Sequence, residues 1–143
     1  MGFDIALRWD TLSTDRVLRN RKLADVLLAT VSGLREFPLD TTLIAGLLGV
    51  PLDEIFMHWS QIELHTSDAL LGVQLDLWYD RAYLILPSNP PGGCASALAL
   101  IEPLLGLLRA HGVQPVEPSG MLTEYEAQRS RVLRVAEIVG GTA

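Results

Sequence analysis

The sequence predicts an α+β fold, an antiparallel sheet covered by helices. Three observations carry this. Apolar and polar residues alternate at the start of the chain and again in its middle, the spacing of half-buried strands. Longer stretches before, between and after them repeat apolar residues at helical spacing. Apolar residues make up 49% and charged residues 20% of 143 positions, a composition that buries a core without a staple.

The first strand is read from Phe3, Ile5, Leu7 and Trp9, which alternate with Asp4, Ala6, Arg8 and Asp10. Thr11 and Ser13 are candidate caps for a helix with the apolar stripe Val17, Ala24, Leu27, Val31 and Leu34. Pro38 is expected to end it. Asp40 or Thr41 opens a short helix over 42–48, and Gly49 suits the left-handed residue that closes it. Pro51 fits the first position of another helix reaching Trp59, with Asp53 and Glu54 favoured by the dipole of its first turn.

Ile62, Leu64 and Thr66 alternate with Glu63 and His65, and Val73, Leu75 and Leu77 with Gln74, Asp76 and Trp78. Tyr79-Asp80-Arg81 reads as a tight reversal into a strand over 82–86, followed by a Pro- and Gly-rich loop over 88–93. A helix is expected over 95–111, kinked at Pro103. Val113 to Val116 reads as a short strand that Pro115 confines to an edge. Thr123 with Glu126 forms a capping box for a last helix with the stripe Tyr125, Val132, Val135, Ala136 and Val139.

Without the helical hairpin over 41–59 the order reduces to βα–ββ(β)–αβ–α. A ferredoxin-like layer, the split βαβ arrangement, satisfies it, with the hairpin inserted and one extra C-terminal helix. Residues 1–139 are read as one domain and 140–143 as a frayed tail. Both long helices would cover one face. The other would carry Arg8, Glu63, His65, Gln74, Asp76, Trp78 and Tyr83.

The segment from Thr42 through Ile44-Ala45, Leu48-Gly49-Val50 and Ile55 to Trp59 resembles a helix-turn-helix unit. That resemblance implies a second helix lying in a DNA major groove. Such a helix needs donors for phosphates and guanine edges. This one offers Asp53, Glu54 and His58, with no Lys or Arg. The residues therefore read better as a structural hairpin, and nucleic acid is the weakest of the partner classes.

Net charge is −6, and ten of the eleven basic residues are arginine, Lys22 being the exception. That bias, with abundant Leu, Ala and Val, points to a GC-rich bacterial coding sequence. Position says more than the total. From Glu36 to Asp80 there are eight acidic residues and no basic one. Basic residues gather at Arg16, Arg19, Arg21 and Lys22, and again at Arg129, Arg131 and Arg134. The single cysteine, Cys94, permits no internal disulfide and fits a reducing compartment. The first residues lack a signal peptide's basic start and apolar run. No stretch is apolar enough to span a membrane, so a cytoplasmic location is expected.

No catalytic or metal-ligating constellation stands out, and no cofactor is implied. His58 and His65 do not have ligand spacing. Asp4, Asp10, Asp76 and Asp80 are candidates for a carboxylate pair on the sheet. The Gly92-Gly93 loop before a helix lacks the lysine and spacing of a phosphate loop.

Three function classes remain. The first is a non-catalytic protein-binding domain, an inhibitor or immunity-type protein or a complex subunit, docking a basic macromolecule through Glu54, Glu63, Asp68, Asp76 and Trp78. The second is an enzyme or small-molecule binder with a cleft beside the sheet, using His65, Asp76, Tyr83 and Cys94. The third is a nucleic-acid binder using the hairpin or the first basic cluster. Leu100, Leu104 and Leu107 are candidates for a homodimer interface.

Overall fold

The computed structural model describes residues 2–140 except 12, 40, 53 and 56–59. The strands are β1 (Gly2–Trp9), β2 (Arg35–Phe37), β3 (Ile62–His65), β4 (Gln74–Leu77), β5 (Ala82–Pro87) and β6 (Val113–Pro115). They form one sheet in the order β2-β3-β4-β5-β1-β6, every pair antiparallel. The helices are α1 (Arg16–Thr30), α2 (Thr41–Leu48), α3 (Cys94–Ala110) and α4 (Met121–Gly140).

The α+β expectation holds. The strand order does not confirm the ferredoxin-like layout, because β2 and β3 extend the sheet beyond a four-stranded layer. The sequence reading missed β2 by running α1 on to Pro38. In the structure α1 stops at Thr30 and Gly33 turns the chain with φ of 80°. Val31 and Leu34 still pack against the core from outside the helix. Their spacing marked burial correctly and secondary structure incorrectly. The cap is Asp15, whose carboxylate accepts from the Leu18 N–H, and not Thr11 or Ser13.

A helix is present at the start of the expected hairpin, α2 beginning at Thr41. Gly49 closes α2 with φ of 67°, and Leu52, Glu54 and Ile55 are helical. Ala45 and Ile55 form a small second core with Val17, Ile44, Val50 and Tyr79. The rest of the expected second helix, with Asp53 and 56–59, lies outside the described residues, as does the tail beyond Gly140.

Alternation places Ile5, Leu7, Leu64, Leu75, Leu77, Leu84 and Leu86 on one face of the sheet, all buried. Leu23, Ala24 and Leu27 of α1 and Ala97, Ile101, Leu105 and Leu108 of α3 join them in a single core. Pro103 lies on the exposed side of α3 and does not end it. Pro115 sits in β6, which is an edge strand paired only with β1.

The last helix begins at Met121, so Thr123 lies inside it and the expected capping box does not open it. Tyr125 is fully buried, stacks on Phe3 at 4.5 Å and donates to the Pro87 carbonyl. Burial pushes its hydroxyl pKa up to about 12. Gln128 donates to the Gly2 carbonyl at 3.0 Å. Beyond Val132 the stripe emerges: Val135 is 60% and Val139 70% exposed. The helix is therefore docked on the core face by its first half.

One buried polar group joins helix to sheet. Asn20 of α1 is fully buried; its amide donates to Gln61 Oε1 at 2.9 Å and to the Trp78 carbonyl at 2.8 Å. Its oxygen accepts from Arg19 at 3.2–3.3 Å, and Gln61 in turn donates to the Val17 carbonyl at 3.1 Å. Replacing Asn20 by alanine leaves these groups without their partner at a buried position. We expect Asn20→Ala to cost about 3 kcal/mol in urea unfolding, against about 0.5 kcal/mol or less for Leu47→Ala, whose leucine is 78% exposed.

Candidate functional site

The second face of the sheet is built by the same alternation. Paired strands in register align outward residues in rows across the sheet. One row reads Phe37, Glu63, Asp76, Tyr83 and Ala6. The next reads Arg35, His65, Gln74, Ile85 and Asp4. The core that holds α1, α3 and the first half of α4 lies on the opposite side. Asp4, Ala6 and Arg8 are exposed, while Glu63, His65, Gln74, Asp76, Tyr83 and Ile85 are half-buried.

The first row sets two carboxylates directly opposite each other, Glu63 on β3 and Asp76 on β4. Like charges so placed repel. Local polar groups soften the conflict. His65 Nε2 lies 2.9 Å from Glu63 Oε1, and Gln74 donates to Asp76 Oδ1 at 2.8 Å. Burial raises the Asp76 pKa above the ordinary carboxylate range; Glu63 and Asp4 push the same way, against the Gln74 hydrogen bond and His65. Among the described residues no arginine or lysine pairs with Glu63 or Asp76.

Aromatic groups flank the pair. Phe37, 50% exposed, stacks on His65 at 5.5 Å. Trp78 meets Tyr83 edge-on at 6.5 Å, with Arg81 over its ring at 5.4 Å. Trp78 Nε1 is buried and has no hydrogen-bond partner among the described residues. Phe37 escaped the sequence reading with strand β2. Arg35-Glu36-Phe37 has no apolar–polar alternation, and all three are exposed, so no periodicity marked the strand.

The other expected site residues are dispersed. Glu54 is exposed on the inserted hairpin, and Asp68 is exposed in the 3₁₀ turn Asp68–Leu70 between β3 and β4. Cys94 begins α3 on the opposite side of the sheet from His65 and Tyr83, buried in the main core. Burial raises its thiol pKa. The structure thus brings together His65, Glu63, Asp76 and Tyr83 and leaves Cys94 out. Asp10 and Asp80 are also apart from Asp76: Asp10 faces Arg8 at 3.6 Å, and Asp80 pairs with Arg81 at 3.1 Å. Leu104 is buried in the core, while Leu100 is 40% exposed.

The acidic span is therefore not one patch. Arg21 reaches Glu36 at 2.7 Å, and Asp80 has Arg81. Among the described residues no group of three His, Cys, Asp or Glu is placed to hold a metal ion, and no helix is long and apolar enough to cross a membrane.

The strain between the two carboxylates has a measurable sign. A carboxyl with a raised folded-state pKa favours folding below its unfolded pKa and loses that contribution as pH rises through the folded value. Asp76→Asn keeps the acceptor for Gln74 and removes the repulsion. It should stabilise the domain by about 0.5–1 kcal/mol at pH 7. The gain should shrink as the wild type is acidified toward about pH 4, in paired thermal melts.

No family model matches this sequence, no curated protein is significantly similar to it, and no solved structure gives a significant match to its fold.

Proposed function

We propose that this chain is a non-catalytic protein-binding domain whose open sheet face receives a cationic segment of a partner protein. The observation that carries the reading is the Glu63–Asp76 pair, two opposed, half-buried carboxylates on the sheet face away from the main core, with no arginine or lysine paired to them among the described residues. Cross-strand neighbours stand about 5 Å apart, so one guanidinium can bridge both carboxylates. Repulsion that destabilises the free domain becomes attraction in the complex.

The surroundings suit a peptide-like partner. Phe37, Tyr83 and Ile85 give the face apolar area. Arg35 and Arg8 stand at the margins of the acidic centre, an arrangement that favours a partner with a central positive charge. The cavities of about 490 and 440 Å³ are lined by residues outside these two rows, so a histidine and two carboxylates here meet a macromolecular surface more readily than an enclosed substrate. The corresponding fold reading takes β6-β1-β5-β4 with α1 and α3 as a split βαβ core, to which β2 and β3 add the width that carries Phe37 and Glu63.

An alternating arginine–leucine peptide is the direct probe, followed by titration calorimetry. Glu63→Gln and Asp76→Asn should each weaken binding about fivefold to tenfold, and raising salt from about 0.05 to about 0.3 M should weaken it further. A double variant that binds as tightly as wild type, or an affinity indifferent to salt, would sink the proposal.

A further inference from the structure

At the end of the molecule where β1 passes into α1, Arg19 and Lys22 of the first helix face a cleft. It measures about 490 Å³ and is bounded by Trp9, the loop residues Thr11, Ser13 and Thr14, the first three turns of α1, and His111 beyond the end of α3. Its size is that of a small-molecule site. Leu18, Leu23 and Val26 supply an apolar wall, and Arg19, Lys22 and His111 supply nitrogen donors.

The pairing of the arginines decides what this cleft suits. Arg21, on another side of the same helix, is held by Asp25 at 2.9 Å and Glu36 at 2.7 Å. Arg81 has Asp80, and Arg109 has Glu102. Arg19 is treated differently. Its guanidinium donates to the Tyr79 carbonyl at 3.2 Å and to Asn20 Oδ1, both neutral oxygens, and lies 3.7 Å from the centre of the Trp9 ring. Burial lowers its pKa, and neighbouring Arg16 lowers it further. Among the described residues neither Arg19 nor Lys22 has a carboxylate within ion-pair distance. A part-buried cation with only neutral partners is costly unless an anion completes it. In a chain of net charge −6, leaving these two without acids is a local reversal of sign.

The one carboxylate lining the cleft, Asp15, is already engaged as the cap of α1, accepting from the Leu18 N–H at 3.0 Å. The first turn beside it carries the positive end of the helix dipole. The Thr11, Ser13 and Thr14 hydroxyls add donors along the same rim.

We infer that this cleft binds a small phosphate monoester with an apolar body, the phosphate meeting Arg19 and Lys22 and the body lying on Leu18, Leu23 and Val26. The site is independent of the carboxylate face and uses none of its residues. Arg19 also contacts Asn20, which ties α1 to the sheet, so occupancy braces the junction that holds the helix.

Phenyl phosphate is the probe, followed by tryptophan fluorescence and thermal melting of the whole chain. Saturable quenching and a raised melting temperature are expected, with affinity about tenfold above that of inorganic phosphate. Lys22→Gln should weaken phenyl phosphate about fivefold or more, because it removes a charge-assisted contact from the rim of the cleft. Arg19→Lys should retain part of the affinity, and Arg131→Gln, a cation removed elsewhere, should change nothing. Absence of saturation by about 10 mM, or equal binding by Lys22→Gln and wild type, would overturn the inference. Inorganic phosphate matching phenyl phosphate would overturn it as well, since the apolar wall would then contribute nothing.

Discussion

The placement of α1 depends on one buried carboxamide. Asn20 reaches from the helix to Gln61 just ahead of β3 and to the Trp78 carbonyl just past β4. Apolar contacts along Leu23, Ala24 and Leu27 hold the helix to the sheet but allow it to slide, since the hydrophobic effect is non-directional. Two directed hydrogen bonds from a fully buried side chain do not. They set the helix's position along the strands, and with it the site of Arg19, the mouth of the cleft beside Trp9 and the seat of the inserted hairpin against Val17 and Tyr79. An unsatisfied group at this point costs more than a neutral hydrogen bond contributes, so the geometry is enforced mainly by the penalty for leaving it.

Charge in this molecule is arranged by sheet face more than by sequence segment. The stretch from Glu36 to Asp80 looks uniformly acidic as a string, yet the pleat sends Glu36 toward α1 and Arg21 while Glu63 and Asp76 turn the other way. Residues flanking the stretch supply further counter-ions, Arg81 for Asp80 among them. Glu63 and Asp76 on one side of the sheet, and Arg19 and Lys22 in a cleft at its end, have no such counter-ion of opposite fixed charge among the described residues.

The alternation of Ile5, Leu7, Leu75, Leu77 and Leu84 was legible because a period of two has one structural meaning over so short a run. The division of the sheet into a core face and a polar face followed, and so did the proximity of Glu63, His65, Asp76 and Tyr83. The end of α1 was not legible, because Val31 and Leu34 pack half-buried against the core at positions that also continue a helical stripe. Asn20 fell in the gap of that stripe between Val17 and Ala24, where a polar residue facing the core is a signal in itself. The cleft was hidden for another reason. Arg19, Lys22 and Trp9 belong to neighbouring elements, but their relation to His111 depends on how the C-terminal end of α3 meets β1, which no local pattern records.

The position of β1 has a kinetic consequence. It is the earliest strand in sequence, yet it lies between β5 and β6 and is closed at its far end by Gln128 and Tyr125 of α4. The meander from β2 to β5 can assemble through near neighbours, whereas β1 must wait for partners made roughly eighty or more residues later. During synthesis the apolar side of this strand stays without its neighbour β5 until roughly eighty further residues have been made, which leaves it exposed to aggregation in the meantime.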